Sequence, residues 1–182
     1  VLTPWKVVNM HMGDCLGGYN FYNENYQVVL DEPRFIDRGQ VTNQVIKNTD
    51  AKVLEINSKT GLYPLYITYS LFRERLKSPL EHRNEKAIWK ETVENNIFVV
   101  CRTEMAENIT KRTLIGDDKN IKVNIMTIDN MIEQLKSKPE DVLSKILNKV
   151  EWNIQGGGKM KFDAIIGNPP YQGTNHAQIY PF

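Results

Sequence analysis

Four consecutive residues near the end of the sequence, Asn168-Pro169-Pro170-Tyr171, are suited to holding a planar amino group. The two prolines fix φ and lack N–H groups, so this segment is rigid and offers carbonyl acceptors. The Asn168 side-chain oxygen and the Pro169 carbonyl can accept the two hydrogens of one NH₂ group, and Tyr171 can stack on the attached ring. Such acceptors favour a tetrahedral nitrogen whose lone pair faces an electrophile, which is orientational and electrostatic catalysis. A proline-rich turn at the end of a strand is the alternative interpretation.

Residues 53–61 form a second candidate segment, in which a short apolar strand ends in an acid and a turn of small residues. The acid is Glu55, and the turn contains Asn57, Ser58 and Gly61. Taken alone, a plain connection between a strand and a helix explains this pattern better than a binding site does.

Thr3 and Pro4 form a third candidate at the start of the sequence, where a helix is predicted to run to about Asp14. Thr3 is a good N-cap residue, and Pro4 suits the first helical position, where a missing N–H costs nothing. A well-capped helix without further function is the simpler interpretation.

The elements that must position these residues alternate between strands and helices. Strand–turn–helix units of this kind predict an α/β fold with a largely parallel sheet, which binds ligands at the carboxyl ends of its strands. Residues 19–40 are predicted to be a packed loop region. Strands are predicted at residues 52–56, 97–101, 123–128 and 162–166.

Composition and charge exclude several classes of protein. With 41% hydrophobic and 25% charged residues the chain is globular, and no apolar run approaches the roughly 18 residues that span a bilayer. A net charge of +1 is low for a domain that grips duplex DNA alone. Two cysteines exclude a disulfide framework or a four-cysteine zinc site, so a reduced, cytoplasmic protein without a membrane segment is expected.

The remaining reactive and charged side chains are expected to be structural. The three histidines lack metal-ligand spacing, so no metal site is predicted. Gly156-Gly157-Gly158 does not fit a phosphate-binding loop. Cys15 and Cys101 are expected to be small buried residues. A solvated helix end is predicted for Arg73, Arg75 and Lys77.

The sequence Ile166-Gly167-Asn168-Pro169-Pro170-Tyr171 resembles motif IV of S-adenosylmethionine-dependent amino-methyltransferases, particularly gamma-type N6-adenine DNA methyltransferases. The resemblance implies that Asn168 and Pro169 bind the adenine N6 amino group. It also implies that Tyr171 stacks on a base rotated out of the duplex and that Pro170 holds the turn.

Two further segments resemble the cofactor motifs of the same family, and they occur in the gamma order. Thr3-Pro4 is similar to motif X, and residues 53–61 are similar to motif I. This implies that S-adenosylmethionine contacts Thr3, Pro4, Glu55, Asn57, Ser58 and Gly61. Asp129 resembles the residue that accepts from the cofactor adenine amine, and an N-cap role is an equal alternative.

The sequence departs from the family pattern at two places. Lys59 stands where motif I usually has a glycine. The second strand is followed by Cys101-Arg102-Thr103-Glu104, so no acid lies directly at the strand end, where family members hold the cofactor ribose.

The resemblance implies a Rossmann-like methyltransferase fold that is incomplete at the C-terminus. Residues 1–50 would carry the motif X helix and a loop region, and residues 51–182 the cofactor-binding strands through motif IV. A target-recognition domain would be absent, and the isolated chain is expected to be inactive.

The implied reaction is methyl transfer from S-adenosylmethionine to adenine N6 in double-stranded DNA, bound through the full-length protein of a bacterial restriction–modification system. A fused or associated restriction nuclease is implied as a partner. Methylation of a protein glutamine or of ribosomal RNA is the first alternative, because both use a similar motif IV. A non-catalytic scaffold is the second.

Overall fold

The architecture is a parallel sheet flanked by helices, preceded by a helix and a hairpin. The computed structural model describes residues 2–78 and 84–167. In chain order the elements are α1 (Trp5–Cys15), β1 (Gly18–Tyr22), β2 (Val29–Ile36), α2 (Gln40–Val45), β3 (Val53–Ser58), α3 (Leu62–Leu76), α4 (Glu85–Asn96), β4 (Ile97–Cys101), α5 (Glu104–Ile115), β5 (Asn124–Thr127), α6 (Met131–Ser137), α7 (Pro139–Leu147) and β6 (Ala164–Gly167), with a short 3₁₀ helix over Lys149–Trp152.

Four parallel strands form the main sheet in the order β5-β4-β3-β6. The chain moves outward from β3 through β4 to β5, then crosses back so that β6 pairs with the other edge of β3. This order is that of a Rossmann-like methyltransferase fold, and it confirms the predicted α/β class. It also creates a topological switch point between β3 and β6, where such sheets bind their ligands.

The central strand β4 is apolar along its whole length because helices cover both faces of the sheet. All five residues of β4, Ile97-Phe98-Val99-Val100-Cys101, are buried, as parallel sheets require. On one face α1 and α3 pack through Val8, Tyr66 and Ile67. The other face packs on α6, α7 and the following segment, including Trp152. The strands are therefore fixed on both sides, which makes their carboxyl ends a rigid edge.

The prediction of a loop over residues 19–40 is wrong, because β1 and β2 pair there as an antiparallel hairpin. Tyr19 packs against Phe35 at a ring-centroid distance of 5.0 Å, and its backbone N–H donates to Ser70 Oγ on α3. Pro33 lies inside β2, which a strand with an unpaired edge tolerates. The hairpin is thus held by aromatic packing on α3 rather than by a regular alternation of residues.

Arg75 was predicted to be solvated at a helix end, and this is wrong. Only 11% of its side chain is exposed, because α4 packs over it. The guanidinium donates to Glu91 Oε1 at 2.6 Å, to the Thr49 carbonyl at 2.6 Å and to Asn96 Oδ1 at 2.9 Å. Arg75 therefore joins α3, α4 and the segment before β3 at the amino end of the sheet.

The two cysteines differ in their surroundings. Cys101 is buried at the end of β4, as predicted, whereas Cys15 is exposed. The expectation for Cys15 is wrong because it is the last residue of α1 and lies on the solvent face of that helix.

Among residues 2–78 and 84–167, none of the helices combines the length and the apolar character needed to cross a bilayer.

Candidate functional site

The strand that leads into Asn168 ends beside the turn that follows β3, at the carboxyl edge of the sheet. Ile56 of β3 is the pairing partner of Gly167, the last described residue of β6. Asn168 follows Gly167 directly in the sequence, and Asn168, Pro169, Pro170 and Tyr171 lie outside the described residues. The register therefore brings the end of β6 beside the turn that follows β3.

The turn after β3 needs left-handed backbone at two positions. Asn57 has φ of +67° and Gly61 has φ of +74°, a region that favours glycine and, to a lesser degree, asparagine. A Cβ atom on Gly61 would also lie 3.0 Å from Thr110 Cα on α5. Asn57 thus takes a conformation that glycine often supplies, and Gly61 lets α5 pack closely against the turn.

A small cavity of about 20 Å³ joins the first residues of the chain to this turn. Such a volume holds about one water molecule. Its wall brings together Thr3, Glu55 and Asn57, which sequence analysis placed in two separate motifs. The complete lining is Thr3, Val8, Glu55, Asn57, Lys59, Thr60 and Tyr63.

Glu55 is the most unusual group in this wall. The residue is 4% exposed, and its Oε2 atom has no hydrogen-bond partner. Burial raises the pKa of Glu55 to about 8, although a hydrogen bond with Ser58 lowers it in part. An acid held out of water without a counter-charge is destabilising when ionised. Its carboxylate would therefore gain from an incoming cation or N–H donor.

The other predicted cofactor residues take different positions. Pro4, not Thr3, is the N-cap of α1, which begins at Trp5. The predictions of Thr3 as the N-cap and Pro4 as the first helical residue are wrong, because Pro4 itself has extended backbone, with ψ of 150°. Ser58 is 1% exposed, and its Oγ lies 3.0 Å from Thr110 Oγ1 in the packing between β3 and α5.

Asp129 is exposed after β5, at the same edge of the sheet. The alternative N-cap role for Asp129 is wrong, because Asn130 occupies the N-cap of α6 with φ of +50°. The Asp129 carbonyl accepts from Gln134 Nε2. The carboxylate of Asp129 is therefore not engaged in capping the helix.

Sequence analysis missed two features of the cavity wall. Val8 of α1 lines it, and so does Tyr63, whose hydroxyl lies 3.0 Å from His11 Nδ1. Tyr63 lies in the first turn of α3, three positions before Tyr66. This spacing places both rings on one face of the helix, and it could have indicated from the sequence that Tyr63 is buried with Tyr66. The contact of α1 with this turn is tertiary and has no signal in the sequence.

Within residues 2–78 and 84–167, no cluster of three or more His, Cys, Asp or Glu side chains could hold a metal ion.

Comparison with known families identifies the second half of the chain. Residues 95–180 match the family model described as Eco57I restriction-modification methylase. This segment is therefore similar to the restriction-modification methylases that the model describes. No curated protein matches the chain.

The matched segment contains β4, β5 and β6 and includes the Asn168-Pro169-Pro170-Tyr171 sequence. The match and the Rossmann-like sheet together support a restriction-modification methyltransferase. The match does not extend to Thr3-Pro4 or to the turn after β3, whose assignment depends on the geometry described above.

Gly167 provides a test of how β6 positions the residues that follow it. A Cβ atom on Gly167 would lie 2.6 Å from the Ile56 carbonyl oxygen, so we expect Gly167→Ala to push β6 away from β3. The expected loss of stability is about 1–3 kcal/mol, measured by urea unfolding, together with loss of any methylase activity of the full-length protein.

Gly157→Ala is the matched control, because a Cβ atom on Gly157 meets nothing within 4 Å. Unchanged stability and activity in Gly167→Ala would contradict the close approach of β6 to β3.

Proposed function

We propose that the protein containing this chain transfers a methyl group from S-adenosylmethionine to the N6 amino group of adenine in double-stranded DNA, as part of a bacterial restriction–modification system. The observation that carries the proposal is the buried, unpaired carboxylate of Glu55 beside the strand that leads into Asn168. Residues 1–50 and 51–182 would act as one catalytic unit, since α1 packs on α3 and lines the same cavity.

The polar side chains that line the cavity fit one end of the cofactor. S-adenosylmethionine carries an ammonium group, and Glu55 Oε2 is an acceptor without a partner. An ammonium placed there would supply the missing counter-charge and favour the ionised carboxylate. Thr3 and Asn57, in the same wall, would add polar contacts. The cavity of about 20 Å³ would hold this end of the cofactor alone, and the remainder would extend along the strand ends.

When bound, S-adenosylmethionine supplies an electrophilic methyl carbon, which is attached to a positively charged sulfur. The chain's own contribution would be to hold the acceptor nitrogen in line with this methyl carbon. Asn168 Oδ1 and the Pro169 carbonyl would accept the two N6 hydrogens, and this directs the nitrogen lone pair toward the methyl group. The C–S bond would break as the N–C bond forms, leaving S-adenosylhomocysteine, and the methylated nitrogen would release one proton to solvent.

Tyr171 would supply the platform on which the target base stacks. An adenine inside a duplex cannot reach a site at a sheet edge, so the base must rotate out, at an unstacking cost of a few kcal/mol. Stacking on an aromatic ring recovers part of this cost, worth about 1–3 kcal/mol per base. Pro170 would fix the distance between the amino-group acceptors and the ring.

The test is to offer duplex DNA, structured RNA and a glutamine-containing peptide to the full-length protein with labelled cofactor. We expect label in N6-methyladenine of DNA alone. Label in RNA or in a peptide amide would overturn the substrate assignment and support the other amino-methyltransferases. Titration calorimetry with S-adenosylhomocysteine addresses the scaffold alternative, since a full-length protein that fails to bind it would not be a methyltransferase.

A further inference from the structure

Arg102 lies at the centre of the carboxyl edge. It directly follows Cys101, whose pairing partners are Ser58 of β3 and Thr127 of β5. Arg102 is therefore flanked on one side by the turn after β3 and on the other by the residues that lead to Asp129. Adjacent strands lie about 4.8 Å apart, so these three strand ends form one continuous row.

One nitrogen of the Arg102 guanidinium lacks a partner among the described residues. Its Nε atom is buried and makes no hydrogen bond. The residue as a whole is partly exposed at this edge of the sheet. Only three buried side-chain atoms in the described part of the chain lack partners, and two of them, in Glu55 and Arg102, lie at this edge.

An unsatisfied donor at this position has a defined chemical preference. Arginine has donors only, so its partner must supply oxygen or nitrogen lone pairs. In nucleotide-binding sheets of this topology, the end of the second strand faces the ribose of the ligand. That strand is β4 here, and the next residue is a cation rather than the usual carboxylate.

We propose that Arg102 binds the ribose of the cofactor by donating to its hydroxyl oxygens, in the place where a carboxylate would accept from them. This inference rests on the proposed function. With the ammonium end at Glu55 on β3 and the adenine near Asp129 after β5, the ribose of an extended ligand lies at β4, between the two. Arg102 is the side chain that the fold places there.

The experiment measures whether Arg102 and the ribose hydroxyls act as a pair. Calorimetry on the full-length protein compares S-adenosylhomocysteine with its analogue that lacks both ribose hydroxyls. In the unmodified protein, we expect removal of the hydroxyls to weaken binding about 10-fold or more. In Arg102→Met, we expect S-adenosylhomocysteine to bind about 10-fold more weakly, and the analogue to bind with the affinity it has for the unmodified protein.

The melting temperature of the ligand-free protein separates binding from structure. Arg102→Met removes an unsatisfied buried donor, so we expect its melting temperature to rise by about 2–4 °C. A fall would show a structural role and overturn the assignment. Arg112→Met is the matched control, because Arg112 lies on α5 with an exposed ion pair to Asp117, and it should change neither measurement.

The outcomes distinguish this inference from the proposed function. If Arg102→Met weakens both ligands equally, or neither, Arg102 does not bind the ribose although cofactor binding stands. If the unmodified protein binds neither ligand, the proposed function fails, and the role of Arg102 fails with it.

Discussion

Replacing Asn168 with alanine is expected to lower the rate of methyl transfer by at least about 100-fold, since loss of one oriented polar group at a reacting centre typically costs this much. The variant loses the side-chain acceptor that holds one N6 hydrogen, so the nitrogen is no longer directed at the methyl group. Binding of S-adenosylhomocysteine should be unchanged, because the proposed cofactor contacts lie on β3, β4 and the residues after β5.

The measurement is single-turnover methylation of duplex DNA by the full-length protein, combined with calorimetry. Asn108→Ala is a suitable control, because Asn108 is an exposed asparagine on α5 and its removal should leave the rate intact. Substantial turnover by Asn168→Ala would contradict the assignment of the amino-group site. Loss of cofactor binding together with activity would show that Asn168 belongs to the cofactor site instead.

Glu55→Gln is expected to make the protein more stable than the unmodified chain above pH 8. Burial raises the pKa of Glu55 from its ordinary value of 4.5 to about 8. The native state therefore keeps a proton that the unfolded state releases. This contribution to stability is complete below about pH 4.5 and is lost as the pH rises through 8, a change of about 5 kcal/mol. Glutamine does not titrate, so the variant avoids this loss.

Urea unfolding at pH 5 and at pH 8.5 checks the expectation. The stability gain of Glu55→Gln should be large at pH 8.5 and small at pH 5. Glu94→Gln is a control for which the expected change in stability has the opposite sign. Burial alone would raise the pKa of Glu94, but hydrogen bonds from Lys90 and from the Lys122 N–H hold it below its usual value. Glu94→Gln should destabilise the protein at pH 8.5. Equal effects of Glu55→Gln at both pH values would contradict a perturbed carboxyl group.

The stability gained at Glu55 should come with a loss of ligand binding. A neutral amide cannot pair with an ammonium group, so Glu55→Gln should bind S-adenosylhomocysteine more weakly at pH 8. Unchanged affinity would remove the observation on which the proposed cofactor site depends. Glu55 would thus lower the stability of the ligand-free protein above pH 8 and raise its affinity for the cofactor.

The main sheet was predictable because its strands are buried on both faces. Ile97 to Cys101 form an unbroken apolar run, and such a run between helices identifies a central parallel strand. The helix α5 has an equally local start, since Thr103 caps it by accepting from the Ala106 N–H. Local signals of this kind place each element without knowledge of its neighbours.

Features that depend on contacts between distant segments were not predictable. The hairpin of β1 and β2 lacks a clean alternation, and the hydrogen bond from its Tyr19 N–H to Ser70 Oγ on α3 exists only in the folded chain. Arg75 was missed because its partners come from α4 and from Thr49. At the site, the sequence shows that no acid lies directly at the end of β4, but it does not show that Arg102 Nε is buried without a partner.

The position of β6 sets the order in which the molecule can be built. One edge of β3 pairs with β4, which follows after the two helices α3 and α4. The other edge pairs with β6, and the Lys52–Asp163 hydrogen bond beside it spans 111 residues. Because contacts between distant segments are slow to form, and synthesis releases the chain from its N-terminus, we expect β6 to pair with β3 after β4 and β5 have paired. The switch point would then form later than the rest of the described sheet.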